Sequence, residues 1–95
     1  MEVEEIIKKC HLKEHVVWND TEQQDVSVGW ERVFYKEHYH GYITINTDNS
    51  CFVSISKYQQ DGSDRQIFKL VCDNIRTFSE FIDIINKSYI NLYSL

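Results

Sequence analysis

Apolar residues change their period along the chain, and each change marks an element. Over residues 2–14, Val3, Ile6, Ile7 and Cys10 fall at i, i+3, i+4 and i+7, one face of a helix. Glu2, Glu4 and Glu5 precede Lys8, Lys9 and Lys13, an order that suits the helix dipole. Glu4–Lys8 and Glu5–Lys9 are i,i+4 pairs in the favourable direction. His15–Trp18 reads as a short strand, and the polar, acidic stretch 19–25 as a loop.

The period then becomes two. Residues 26–36 are rich in Val, Trp, Phe and Tyr. In 39–47, Tyr39, Gly41, Ile43 and Ile45 alternate with His40, Tyr42, Thr44 and Asn46. In 51–58, Cys51, Val53 and Ile55 alternate with Phe52, Ser54, Ser56 and Tyr58. Residues 65–72 carry Ile67, Phe68, Leu70 and Val71. Alternation with β-branched and aromatic enrichment predicts strands. Asp48-Asn49-Ser50 and Asp61-Gly62-Ser63-Asp64 have turn chemistry, and His38–Gly41 is a further candidate reversal. Short turns between successive strands predict an antiparallel meander.

A helical period returns over 78–93, where Phe78, Phe81, Ile82, Ile85, Tyr89 and Leu92 form a stripe. Thr77 and Glu80 have capping-box spacing ahead of it. The expected fold is one α+β domain spanning 1–95: an antiparallel β-meander of about four strands, flanked by an N-terminal helix and a C-terminal amphipathic helix. Both helices should cover one sheet face and leave the other open.

Composition narrows the function classes. The chain has 95 residues, enough for one core and little more. No apolar run reaches the roughly 18 residues of a membrane span. The acidic start Met1–Glu5 lacks the basic-then-apolar pattern of a signal peptide, so a cytoplasmic location is expected. Cys10, Cys51 and Cys72 are an odd count without CxxC spacing, which predicts free thiols in a reducing compartment. The net charge of −5 favours a partner with a basic surface over phosphate binding. The chain lacks alanine and proline and is rich in Ile, Asn, Lys, Tyr and Phe, residues of AT-rich codons; this suits a viral, phage or low-GC bacterial source.

Four constellations are candidates for chemistry. Cys10, His11 and His15 with His38 and His40 are residue types that bind zinc, but nothing in their spacing joins the two groups, and no metal or other cofactor is expected. A cysteine–histidine nucleophile lacks the glycine-rich elbow or helix start that would activate it, so no enzyme activity is expected. Tyr42, Phe52 and Tyr58 on an open sheet face, with Lys36, Lys57, Arg65 and Lys69, have the residue types of a single-strand or RNA platform. The helix–strands–helix order also occurs in small RNA-binding domains, a likeness in order alone.

The fourth constellation is a protein interface, and it is the preferred expectation. Its candidate residues are Trp18, Asp20, Glu22, Asp25 and Trp30 around the acidic loop, and His40, Tyr42, Phe52 and Tyr58 on the sheet. The apolar end Tyr89–Leu95 is a candidate homodimer contact. The expected function is thus a small protein-binding module. Its concrete version is a viral or phage accessory protein that binds and inhibits or modulates a host protein, such as a nucleic-acid enzyme or defence factor. Nucleic-acid binding through the aromatic sheet face is the alternative.

Overall fold

The computed structural model describes residues 2–94. The chain runs α1 (Glu2–Lys9), β1 (Lys13–Asn19), β2 (Gln24–Lys36), β3 (Tyr39–Asn46), β4 (Cys51–Tyr58), β5 (Asp64–Cys72) and α2 (Ile75–Ser88), then closes with a 3-10 turn at Leu92–Ser94. The strands form one antiparallel sheet in sequence order, β1-β2-β3-β4-β5. The fold is α+β, as the alternating pattern implies.

The strand count among the described residues is five rather than about four. The stretch read as a short strand and a loop is β1, a four-residue turn at 20–23, and the start of β2. Lys13, Glu14, Gln24 and Asp25 pair as strand residues although they are polar. Alternation reports one-sided burial, and this part of the ladder is exposed on β1 throughout except at Asn19. The turn is built locally: Asn19 Oδ1 accepts the Glu22 N–H at 2.9 Å, and Gln23 adopts a φ of 54°.

Helix α1 ends five residues before the periodicity suggests. His11 takes a φ of 58°, the Leu12 N–H donates to the Ile7 carbonyl at 2.9 Å, and the His11 N–H donates to the Lys8 carbonyl at 3.3 Å. This paired arrangement is a Schellman stop, with buried Leu12 supplying the apolar contact after it. Arg32 donates to the Cys10 carbonyl at 3.1 Å, placing a cation at the helix C-terminus and tying it to β2.

Helix α2 starts at Ile75, not Phe78. Asn74 is the N-cap and its side chain accepts the Thr77 N–H at 3.1 Å, so Thr77 lies within the first turn. Both Asn74 and Thr77 are good caps in isolation; Ile75, which packs against the core, favours the earlier start. The helix stops at Ser88, and the chain folds back with the Leu92 N–H on Asn86 Oδ1 at 2.7 Å.

The core lies between the two helices and one sheet face. Ile6, Cys10 and Leu12 come from the α1 region, Phe78, Ile82 and Ile85 from α2, and Ile90 and Leu92 from the tail. Phe34, Ile43, Ile45, Cys51, Val53 and Ile55 come from the sheet. Phe81, read from sequence as a central stripe residue, is only partly buried and packs its ring on Phe68, with centroids 6.2 Å apart. Gly41 sits opposite Phe34, and a Cβ there would meet the Ser54 carbonyl and stand 2.6 Å from Phe34 Cζ. The phenyl ring occupies the space that the missing side chain leaves.

Candidate functional site

β2 is 13 residues long, and its two ends have different surroundings. Gly29–Glu31 pairs with β1 on one side and β3 on the other, and Arg32–Lys36 pairs, among the described residues, with β3 alone. Gln24–Ser27 pairs with β1 and, among the described residues, with nothing on its other edge. Val16–Asn19 of β1 and Gln24–Ser27 of β2 are therefore a two-stranded ribbon beyond the five-stranded body. Four residues at about 3.3 Å each carry the ribbon about 13 Å outward before the turn. The long dimension of the molecule is 48 Å against 29 and 21 Å for the others, and its radius of gyration is 14.6 Å. A compact domain of this length has a radius near 12 Å.

The ribbon, or arm, leaves the body at a bulge. The register between β1 and β2 shifts at His15/Val16, where Val28 is the extra residue of β2. Gly29 beside it has a φ of 148°, and a Cβ there would lie 2.8 Å from the Asn46 Cα. Only glycine fits that approach.

The arm exposes three successive apolar side chains: Val16 at 45%, Val17 at 43% and Trp18 at 57%. Successive strand residues point to opposite faces, so β1 presents exposed apolar side chains on both faces of the arm, opposite half-buried Val26 and Ser27. Trp18 Nε1 donates to Asp20 Oδ1 at 2.7 Å, which fixes the indole beside the turn. Asp25 is the register partner of Trp18, and Glu22 accepts from Gln24 Nε2 at 3.3 Å. Trp18, Asp20, Glu22 and Asp25 are thus brought together at one end of the molecule.

Trp30 is not part of that group. It alternates with Phe34 on the helix-covered side and packs against the core, next to α1 residues Val3, Glu4 and Ile7 around a small cleft. His40, Tyr42, Phe52 and Tyr58 lie on the opposite sheet face, on which no helix packs among the described residues. His40 stacks on Tyr58 at 4.4 Å and on Tyr35 at 6.2 Å, and its Nε2 is 3.0 Å from Asp64 Oδ1. The Tyr42 ring is 6.0 Å from Phe52, and its hydroxyl donates to Glu31 at 2.5 Å. That hydrogen bond, followed by desolvation, raises the Tyr42 pKa. Glu31 also meets His15 Nδ1 at 3.5 Å.

Several residues that sequence reasoning did not select belong to these surfaces. Val33, Tyr35 and Val71 are exposed on the open face, Tyr35 at 71%. Val33 and Tyr35 flank buried Phe34 at period two, which is the signal that places them outward. Val16 and Val17 carry no such signal: an unbroken Val-Val-Trp run reads equally as a strand buried on both faces, and it is the structure that leaves it exposed.

The cations and the aromatics divide between faces. Lys36 and Lys57 alternate with core residues; Lys36 reaches Ser94 Oγ at 3.5 Å, and Lys57 Nζ lies 5.7 Å from the Tyr39 ring centroid. Arg65 is the register partner of Lys57 and shares its side. Of the four cations, Lys69, paired with Ser54, alternates with the aromatics.

The histidines stay in two groups. His15 pairs with Gly29 and His40 with Tyr35, six residues apart along β2, or about 20 Å. Among the described residues, no three His, Cys, Asp or Glu side chains converge as a metal site. Burial pushes the thiols of Cys10 and Cys51 up to about 12. The candidate dimer contact is largely internal: Ile90 and Leu92 are buried in the chain's own core, Tyr89 is exposed, and Leu95 lies outside the described residues. No helix among the described residues is long and apolar enough to cross a membrane. Compared with protein families, curated proteins and solved structures, the chain has no match in any of the three.

Proposed function

We propose that this protein is a binding module that engages another protein through the β1–β2 arm, with Trp18 as anchor and the acidic turn toward a basic partner surface. The observation that carries this reading is the run Val16-Val17-Trp18, held open on both faces of a ribbon that pairs with nothing else among the described residues. A lone two-stranded ribbon is marginal in water, and exposed apolar edges invite association. Seating the arm on a partner removes its apolar surface from water. Asp20, Glu22 and Asp25 around it favour Lys- or Arg-rich surfaces and oppose phosphate.

The Tyr35–His40–Tyr58 stack supports a second reading, in which the open sheet face stacks nucleic-acid bases. It has few phosphate contacts to offer, because three of the four candidate cations alternate with core residues. The cytoplasmic location and the viral or phage accessory role expected from sequence rest on composition, and they fit a host protein as the partner.

The test uses three baits in nuclease-treated extract: the unaltered chain, Trp18→Ser, and Tyr35→Ala. Stoichiometric protein retained by the first and third and lost from Trp18→Ser supports the arm. An anchor tryptophan contributes at least about 2 kcal/mol, or roughly 30-fold in affinity. Equal retention by Trp18→Ser sinks the proposal. Nuclease-sensitive retention that fails with Tyr35→Ala moves the function to the sheet face.

A further inference from the structure

Cys51, the first residue of β4, and Cys72, the last of β5, are register partners on the helix-covered side of the sheet. We propose that this pair is a reversible oxidation site, in which a hydroperoxide oxidises Cys72 and Cys51 then closes a cross-strand disulfide. The inference is independent of the arm.

The ladder fixes the geometry of the pair. The Tyr58 N–H donates to the His38 carbonyl at 3.0 Å, and the Asn46 N–H donates to the Ser50 carbonyl at 2.8 Å. Even-numbered residues of β4 therefore bond toward β3, and odd-numbered ones toward β5. The Gln59 N–H on the Ser63 carbonyl at 2.8 Å agrees. Cys51 and Cys72 are thus a hydrogen-bonded pair, whose Cα atoms stand about 5.5 Å apart. That value lies inside the disulfide range of about 4.4–6.8 Å. The Cβ atoms of such a pair stand wider than the preferred disulfide spacing of about 3.8 Å. The bond therefore forms under strain and is readily reduced. Both residues end their strands, so the last rung can adjust without bending the centre of the sheet.

The two thiols differ in access, which sets the order of events. Cys51 is 1% exposed and its Sγ donates to the Asn49 carbonyl at 3.4 Å. Cys72 is only partly buried, with its Sγ 3.6 Å from the Asn74 carbonyl at the start of α2. After burial, the neighbouring Cys72 is the next influence that keeps the Cys51 thiol protonated, so the two side chains sense each other.

In the first step the Cys72 sulfur takes the distal peroxide oxygen. The O–O bond breaks, the sulfur becomes a sulfenic acid, and water or an alcohol leaves. In the second, the Cys51 sulfur attacks the Cys72 sulfur, the S–O bond breaks, and the sulfenic oxygen leaves as water with the Cys51 proton. The peroxide is reduced, and the two thiols lose two hydrogens in total. The new bond ties edge strand β5 to β4 at the point where the chain departs for α2.

The experiment treats the full chain with hydrogen peroxide, denatures it, and alkylates all remaining thiols before intact-mass and peptide analysis. The expected result is a fall from three alkylated cysteines to one, with a linked peptide joining Cys51 to Cys72 and Cys10 alkylated. Glutathione should return the count to three. Cys72→Ser, at a partly buried position, should keep both of its thiols alkylatable after the same treatment. Three alkylated cysteines in the unaltered chain, a link through Cys10, over-oxidation of Cys72 with Cys51 still free, or a bond that glutathione leaves intact would each overturn the proposal.

Discussion

The sheet has two regions with different surroundings: the body, where β2 has β3 beside it, and the arm, where β1 is its main neighbour. Val33, Phe34 and Tyr35 lie where β2 has β3 beside it and helices on one face; Phe34 is buried there and its neighbours look outward. Val26 and Val28 lie toward the arm and are half-buried, while Val16, Val17 and Trp18 beside them on β1 face solvent. Strand formation needs only a paired backbone; burial needs a second layer. The body has that layer and derives its stability from it. Among the described residues the arm has none, which leaves the apolar side chains of its β1 strand in water.

The comparison breaks most visibly in the body. Phe78 is fully buried on α2, and Phe78→Ala should cost about 3–5 kcal/mol, read as a large fall in the denaturation midpoint. A small change would mean that the helix layer does not hold the sheet. Gly41→Ala should cost about 1–3 kcal/mol, because the new methyl meets the Ser54 carbonyl and the Phe34 ring. Phe34→Leu should recover part of that loss, and failure to do so would place the clash on the backbone.

Smaller effects sharpen the contrast. The β2–β3 turn holds Glu37 at a φ of 57°, a region that disfavours side chains. Glu37→Gly should raise stability by up to about 1 kcal/mol, since glycine removes the strain but adds unfolded-state entropy. Trp18→Ser, on the arm, should change stability by no more than about 0.5 kcal/mol while abolishing the proposed binding. A large loss of stability would make Trp18 a structural residue instead.

The smallest effect is an acid one. Asp48 and Asp61 each accept both the side-chain and backbone donors of the serine two residues on, at 2.6 and 2.9 Å. These serine hydrogen bonds lower both carboxyl pKa values from 3.8. A lowered folded-state pKa gives stability that is present above the unfolded value and lost as pH falls through the folded one. Asp48→Asn with Asp61→Asn should therefore flatten stability against pH below about 4. An unchanged acid limb would assign it to other carboxylates.

Much of this was legible in sequence, and the misses share a cause. Asp48–Ser50 and Asp61–Ser63 are read correctly because turn chemistry is local. The period-two runs of β3 and β4 are read correctly because each is buried on one side, and burial writes alternation into sequence. Residues 19–25 read as a loop because this exposed part of the ribbon writes none, whereas His15–Trp18 and 26–36 on either side read as strands. Periodicity places the α1 end and the α2 start too late because it marks which residues face a core, not where the backbone turns; His11 and Asn74 decide that. The candidate site was half legible. Trp18 and the acidic residues do come together, but Trp30 packs into the core beside α1.

Sequence by itself determined the class of fold, the helix and strand faces, the turn chemistry and the acidic character, because each follows from neighbours within one or two turns of chain. Tertiary structure decided the fifth strand, the burial of the C-terminal tail and the separation of cations from aromatics. It also decided which apolar run is left in water and which cysteines meet. Those depend on which strand lies beside which and where the second layer stops, and residues far apart in sequence settle both.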